Sequence, residues 1–222
     1  IKSKASLTAI EFLTLDSITS AEKFLGKKFP DTKNDAYLLL TFDGSKNSVE
    51  DEYTSVASMC IEKGAIDAYF VDTDERKTAV WSARGAFLEA IKASTDELDE
   101  CDVVVPKTKV AEFVKYANEM GKIIGVRTPS FGHAGDGNLH IYMCRDGMDE
   151  DDWLIKLNQM FDLLYSKARE WGGQVSGEHG IGYAKKEYLK LQLGDSQLNL
   201  MKDSKKVCDP KGILNPGKVC TN

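Results

Sequence analysis

Apolar positions along the chain fall into blocks whose spacing switches repeatedly between the strand and the helix period. Leu7, Ile10, Phe12 and Leu13, with Thr8 and Thr14 among them, read as a strand over 7–15. Asp16 or Ser17 is placed to cap a helix ending near Leu25, and Gly26 to Asn34 reads as a solvated loop. The run Tyr37-Leu38-Leu39-Leu40-Thr41-Phe42, closed by Asp43-Gly44, predicts a central strand. Ser48, with Asp51 three residues on, suggests a capping box for a helix carrying Val49, Tyr53, Val56, Ala57, Cys60 and Ile61 and ending at Gly64.

Ile66 to Val71 alternates through Tyr69 and Phe70 and predicts a third strand. A helix from Asp74 to about Ala93 then presents Val80, Ala83, Phe87, Ala90 and Ile91 on one side. Cys101 to Val105 predicts a fourth strand stopped by Pro106. A helix with Val110, Phe113, Val114, Ala117 and Met120 follows and stops at Gly121, and a fifth strand begins at Ile123. Asp151 to Trp171 is a long amphipathic helix ended by Gly172-Gly173, residues 183–207 give two charged helices, and 209–218 is a turn-rich extension. Strand and helix alternate strictly, which predicts one sheet covered by helices and built from repeated βαβ units.

Composition narrows the class of protein. With 222 residues, 42% hydrophobic and 29% charged, the chain can bury a core, and its net charge of −6, spread along the sequence, gives no nucleic-acid surface and no polybasic membrane patch. No apolar run approaches the roughly 20 residues of a membrane span. Five cysteines without C-x-x-C spacing argue against a disulfide framework and for a reducing, cytoplasmic setting. The chain begins at Ile1, without the features of a secretory signal, as a piece of a longer protein would.

All three histidines lie in two glycine-rich strings, Phe131-Gly-His-Ala-Gly-Asp-Gly-Asn-Leu-His140 and Ser176-Gly-Glu-His-Gly180. Asp136-Gly137 between strand-like flanks predicts a two-residue type I′ hairpin, which would set His133 opposite His140 with Cβ atoms about 5 Å apart. One divalent metal could join two imidazoles so placed, since each nitrogen must come within about 2.1 Å of the ion. The alternative is a pair of core or edge histidines. Glu178 and His179 on an extended segment would point to opposite sides, the carboxylate as a third ligand and the imidazole free to move a proton. Taken singly, Glu178 is as well read as a solvated acid and His179 as a structural histidine. Gly177 and Gly180, which permit close approach, favour the functional reading.

Four strings carry a resemblance: 132–140, Ser176-Gly177-Glu178-His179-Gly180-Ile181-Gly182, Trp81-Ser82-Ala83-Arg84 and Ile213-Leu214-Asn215-Pro216-Gly217-Lys218. In this order they resemble the C-terminal half of FAD-linked 2-hydroxy-acid dehydrogenases, a family with glycolate oxidase D subunits, D-lactate dehydrogenases and D-2-hydroxyglutarate dehydrogenases. The resemblance spans essentially the whole chain. It implies an α+β substrate-side cap domain over 1–222, with a ferredoxin-like antiparallel sheet covered by helices. The N-terminal FAD domain, of the vanillyl-alcohol-oxidase type, would lie outside this chain, which would be inactive alone.

Residue by residue, the resemblance makes His133, His140 and Glu178 ligands of a divalent metal, usually zinc, and His179 the base that takes the hydroxyl proton. Arg84 becomes the grip on the substrate carboxylate. Tyr142 would line the pocket, and Asn215 would reach toward FAD. Some relatives acting on dicarboxylates carry a basic residue near Glu100, and an acid there implies a small monocarboxylate such as lactate or glycolate. An electron-transferring flavoprotein is a candidate acceptor. The other readings are a metal-dependent hydrolase with His179 as base, and a non-catalytic metal-binding module that contacts such a flavoprotein.

Overall fold

A computed structural model describes residues 7–29 and 32–220; Pro30 and Asp31 of the expected loop lie outside them. In chain order the elements are β1 (Ala9–Thr14), α1 (Leu15–Leu25), β2 (Ala36–Thr41), α2 (Lys46–Glu62), α3 (Asp74–Gly85), α4 (Phe87–Lys92), β3 (Leu98–Val104), α5 (Val110–Ile124), β4 (Ser130–His133), β5 (Asn138–Cys144), α6 (Glu150–Glu170), α7 (Lys186–Gln192) and α8 (Asp195–Cys208). They divide into two compact units. The first takes the described residues through Asp96 together with Pro129–Gly135, and the second Glu97–Thr128 and the residues from Asp136 onward.

In the first unit β1 is the middle strand, antiparallel to β2 on one side and to β4 on the other, with Phe12 opposite Leu38 and Gly132. The expected central strand is therefore an edge of this unit's sheet, and Leu38 on it is exposed. Helix α1 packs on α4 and β1, burying Ile18 and Ala21 against a core that holds Phe87, Ala90 and Ile91. Thr14 stands at the N-cap in place of Asp16 or Ser17, and its hydroxyl does not cap the helix. The Thr14 and Ser17 hydroxyls both donate to the Ser130 carbonyl, at 2.9 and 3.0 Å, while the Ser130 N–H donates to Thr14 Oγ1 at 3.0 Å. These bonds pin β4 to the β1–α1 corner.

Further expectations fail in this unit. Residues 66–71 form no strand: Ile66, Tyr69 and Phe70 are exposed, so alternation alone did not suffice. The expected helix from Asp74 to Ala93 is two helices, broken at Ala86 between α3 and α4. The break leaves Arg84 in the last turn of α3.

In the second unit β3 and β5 run antiparallel from Leu98↔Cys144 to Val104↔Asn138, placing Asp102 opposite His140 and Glu100 opposite Tyr142. Among the described residues every pairing within a unit is antiparallel, so the repeated βαβ expectation is corrected and the antiparallel α+β one holds. Helix α6 packs on α5 and β3, burying Trp153, Leu157, Met160, Leu164, Tyr165 and Ala168 at helical spacing. Helix α5 continues through Gly121, where a strand was expected soon after, and ends at Gly125 in the left-handed conformation. A Cβ on Gly121 would stand 2.7 Å from the Val126 carbonyl oxygen, so this glycine serves close packing.

Residues 134–137 form a four-residue turn in which Gly137 has φ +81°. Asp136 is not in the positive-φ region, which rules out the type I′ geometry expected for Asp136-Gly137. The Gly137 carbonyl accepts from Val105 N–H at 2.9 Å, and a Cβ here would lie 2.1 Å from the Val105 oxygen. After α6 the chain touches β3 through a reciprocal Val104–Gln174 pair, then bends through 175–180.

Candidate active site

Strand β1 carries one charged residue, Glu11, and this carboxylate gathers Arg84 and His133. Glu11 is 4% exposed. Its Oε2 accepts from Arg84 Nε at 2.9 Å and lies 2.7 Å from Arg84 Nη2, a two-pronged grip. Its Oε1 lies 2.6 Å from His133 Nδ1. A neutral imidazole donating from Nδ1 to this carboxylate would leave Nε2 as an acceptor. The Arg84 guanidinium also sits over the Phe131 ring, 4.6 Å from its centroid. Two residues singled out in the sequence, Arg84 and His133, thus share one buried acid.

The second unit brings His140, Glu178 and His179 together. His140 on β5 is 3% exposed. Its Nδ1 lies 2.6 Å from Glu100 Oε1 on β3, and its Nε2 lies 3.1 Å from Glu178 Oε1. His179 stacks on His140 with ring centroids 5.0 Å apart and planes 26° from parallel. Its Nδ1 is 3.2 Å from the same Glu100 oxygen and its Nε2 3.6 Å from the same Glu178 oxygen. Glu178 and His179 therefore converge on His140. They do not point apart as an extended segment would require, because residues 177–179 bend.

The bend is held from below by Asp102, a residue the sequence reading passed over. Its Oδ2 accepts from Ser176 Oγ (2.7 Å), His179 N–H (3.1 Å) and Lys185 Nζ (3.1 Å), and its Oδ1 from Gly177 N–H (3.0 Å). Burial pushes the Asp102 carboxyl up, but the Ser176 hydroxyl, the His179 N–H and the Lys185 ammonium outweigh it and hold the group down at about 2. Glu100 has a second role. Its carboxylate is taken up by two imidazoles, a role that spacing along β3 does not announce. Composition does not mark them, since β3 carries a third acid, Asp99, beside Glu100 and Asp102.

The donor chemistry fits a divalent cation. His140 lies between two carboxylates, Glu100 at Nδ1 and Glu178 at Nε2, and a proton on Nε2 or a cation bound by Nε2 and Glu178 would each satisfy the 3.1 Å contact. The Glu100–His140 contact is the carboxylate–imidazole arrangement that orients a metal-ligating histidine, and Glu11–His133 repeats it in the first unit. Ligand atoms of Glu100, His140 and His179 also lie within 4.8 Å of one another, a second donor set in the same unit.

Tyr142 shares a strand face with His140 and is 2% exposed. Asn215 has a positive φ of 45° in a tail folded on Asp209, whose carboxylate accepts from Ile213 N–H and Leu214 N–H at 3.0 Å each and from Lys205 at 2.8 Å. Among the described residues no helix is long and apolar enough to cross a membrane.

Fold and site together define an α+β domain with antiparallel strands, carrying a histidine–carboxylate centre suited to cation binding and proton transfer. The chain belongs to the family of FAD linked oxidases, C-terminal domain, which it matches over residues 1–219. It is 47% identical over 218 residues to a D-lactate dehydrogenase of Anaerostipes hadrus, covering 96% of this chain and 46% of that protein. It is 32% identical to the glycolate oxidase subunit GlcD of Bacillus subtilis (strain 168), covering 99% and 46%, and 30% identical to a D-2-hydroxyglutarate dehydrogenase of Stutzerimonas stutzeri (strain A1501), covering 97% and 47%. The chain thus spans about half the length of these relatives. In fold it is similar to p-cresol methylhydroxylase with substrate bound, at TM-score 0.68 and 12% identity over 96% of this chain and 47% of that one.

Proposed function

We propose that this chain is the substrate- and metal-binding half of a flavin-dependent dehydrogenase that oxidises a small D-2-hydroxy acid, of the lactate or glycolate type, to the 2-oxo acid. FAD, which a flavin domain outside this chain would hold, would supply the acceptor for the C2 hydrogen and its electron pair. The observation that carries the reading is the His140 Nε2–Glu178 Oε1 pair, 3.1 Å apart, with His179 stacked beside it. Its support from relatives is the D-lactate dehydrogenase at 47% identity.

In this reading His133, His140 and Glu178 would hold a divalent ion, zinc by preference, which when bound would supply acidity to a 2-hydroxyl. His179 takes the hydroxyl proton, with Glu100 at its Nδ1 so that Nε2 is the accepting atom. Arg84, oriented by Glu11 and the Phe131 ring, binds the substrate carboxylate. Tyr142 backs the pocket beside His140, and Asn215 faces the flavin. Glu100 disfavours a second carboxylate on the substrate. Electrons leave to an acceptor such as an electron-transferring flavoprotein, in a cytoplasmic setting.

The test is flavin-loaded protein containing this chain, mixed anaerobically with D-lactate or D-2-hydroxyglutarate. Bleaching of the flavin by D-lactate, and slower bleaching by the dicarboxylate, is the expected result. A preference for the dicarboxylate would overturn the substrate class, and no bleaching by any 2-hydroxy acid would overturn the reaction. The metal-dependent hydrolase loses its support, since the relatives are dehydrogenases and oxidases by name.

A further inference from the structure

We propose that Asp102 is a positioning residue for Glu178 and His179, with Lys185 as its counter-charge; the inference rests on the roles assigned to those two residues above. Asp102 is 1% exposed and Lys185 Nζ lies 3.1 Å from its Oδ2. A buried carboxylate is tolerated only when its lone pairs are met by donors. Here the donors come from Ser176, Gly177, His179 and Lys185, all on the segment that carries the chemistry or just beyond it.

The arrangement does more than satisfy a charge. The peptide N–H groups on either side of Glu178, those of Gly177 and His179, are tied to the two oxygens of a single carboxylate. With both flanking peptides fixed, the direction in which residue 178 leaves the backbone is fixed as well. Ser176 adds a second tie inside the bend, since its hydroxyl also lies 3.1 Å from the Gly180 carbonyl. Lys185 reaches the Asp102 carbonyl at 3.3 Å and Ser176 Oγ at 3.3 Å, closing the bend from the far side. The strand register completes the device: Asp102 is the residue of β3 directly opposite His140. One side chain thus refers Glu178 and His179 to the strand pair that carries His140. Gly177 is required at this point, because a Cβ would fall 2.0 Å from Asn138 Oδ1.

The experiment is Asp102→Asn in flavin-loaded protein, with D-lactate as substrate. Asparagine keeps one acceptor and turns an N–H2 group toward a ring of donors, so the bend loosens at constant shape. The expected result is kcat lower by about a hundredfold, KM within about threefold, and removal of bound divalent metal by a chelator at least about tenfold faster, with flavin content and near-UV dichroism unchanged. Lys185→Met is expected to lower kcat roughly tenfold and Lys185→Arg to restore most of it. A purely structural role would lower stability and leave kcat per folded molecule unmoved. Folded Asp102→Asn with kcat within twofold, or with the loss confined to KM, overturns the proposal. If that variant does not fold, Lys185→Met and Ser176→Ala decide, and kcat within twofold in both overturns it. His179→Ala in the same assay separates the two levels: if it retains kcat, the role of His179 fails, whereas loss there with none in Asp102→Asn sinks this inference alone.

Discussion

His140 and His179 stack 5.0 Å apart and meet the same two oxygens, Glu100 Oε1 at their Nδ1 ends and Glu178 Oε1 at their Nε2 ends. Two near-parallel imidazoles between two carboxylates make a closed ring of donors and acceptors. One histidine is buried and the other half exposed, which is the division expected between a fixed ligand and a group that exchanges protons with solvent or substrate.

Removing the buried member is expected to remove the metal. In His140→Ala, metal analysis after gel filtration should fall from near one ion per chain to below about a tenth, because Glu178 loses its nearer nitrogen and Glu100 keeps only one of its two imidazoles. Stoichiometric metal in that variant would refute the ligand assignment.

Removing the exposed member should leave the metal and abolish the chemistry. His179→Ala is expected to keep its ion while kcat with D-lactate drops by about 10²–10⁴, the usual contribution of a general base. Loss of the ion would instead identify Glu100, His140 and His179 as the donor set.

Arg84 already spends two guanidinium donors on Glu11. Lysine offers a point charge that cannot grip Glu11 through two nitrogens and still present a planar edge to a substrate carboxylate. Arg84→Lys should therefore lower kcat/KM for D-lactate by about 10²-fold, mainly through KM. An unchanged KM would remove Arg84 from substrate binding.

Acid should expose Asp102 in the stability of the fold. Its carboxyl ionises in the folded chain at about 2, against 3.8 for the free group. The unfolded chain thus binds this proton first as pH falls, so the contribution of roughly 2 kcal/mol is complete above about pH 4 and is lost between there and about pH 2. Urea unfolding at pH 6, 4 and 3 should show that decline, and Asp102→Asn should flatten it.

Gly137 should resist replacement for a backbone reason. At φ +81° and with the Val105 oxygen 2.1 Å from its would-be Cβ, Gly137→Ala is expected to cost about 1–3 kcal/mol by urea unfolding. An unchanged midpoint would show that the 134–137 turn can shift freely.

Much of the site stands out in the sequence because histidine is scarce there and glycine crowds around it. The three acids beneath it do not stand out. Glu11, Glu100 and Asp102 each follow the alternation of a half-buried strand, and only the pairing of β3 with β5, or of β1 with β4, shows that their polar side is inward. The same non-local pairing explains why strand order was not legible. Adjacent blocks suggest crossover units, whereas β1 finds β4 more than a hundred residues away in sequence. Helices were more legible, since α6 and α5 declare their buried faces by period alone.

Two of the donors that hold the 176–180 bend on Asp102 belong to the main chain, and they would be present whatever residue stood at 178. The shape of the bend is thus largely independent of the group it displays. A different donor at 178 would inherit the same position without a new loop having to evolve, so the chemistry displayed there can change while the scaffold stays the same.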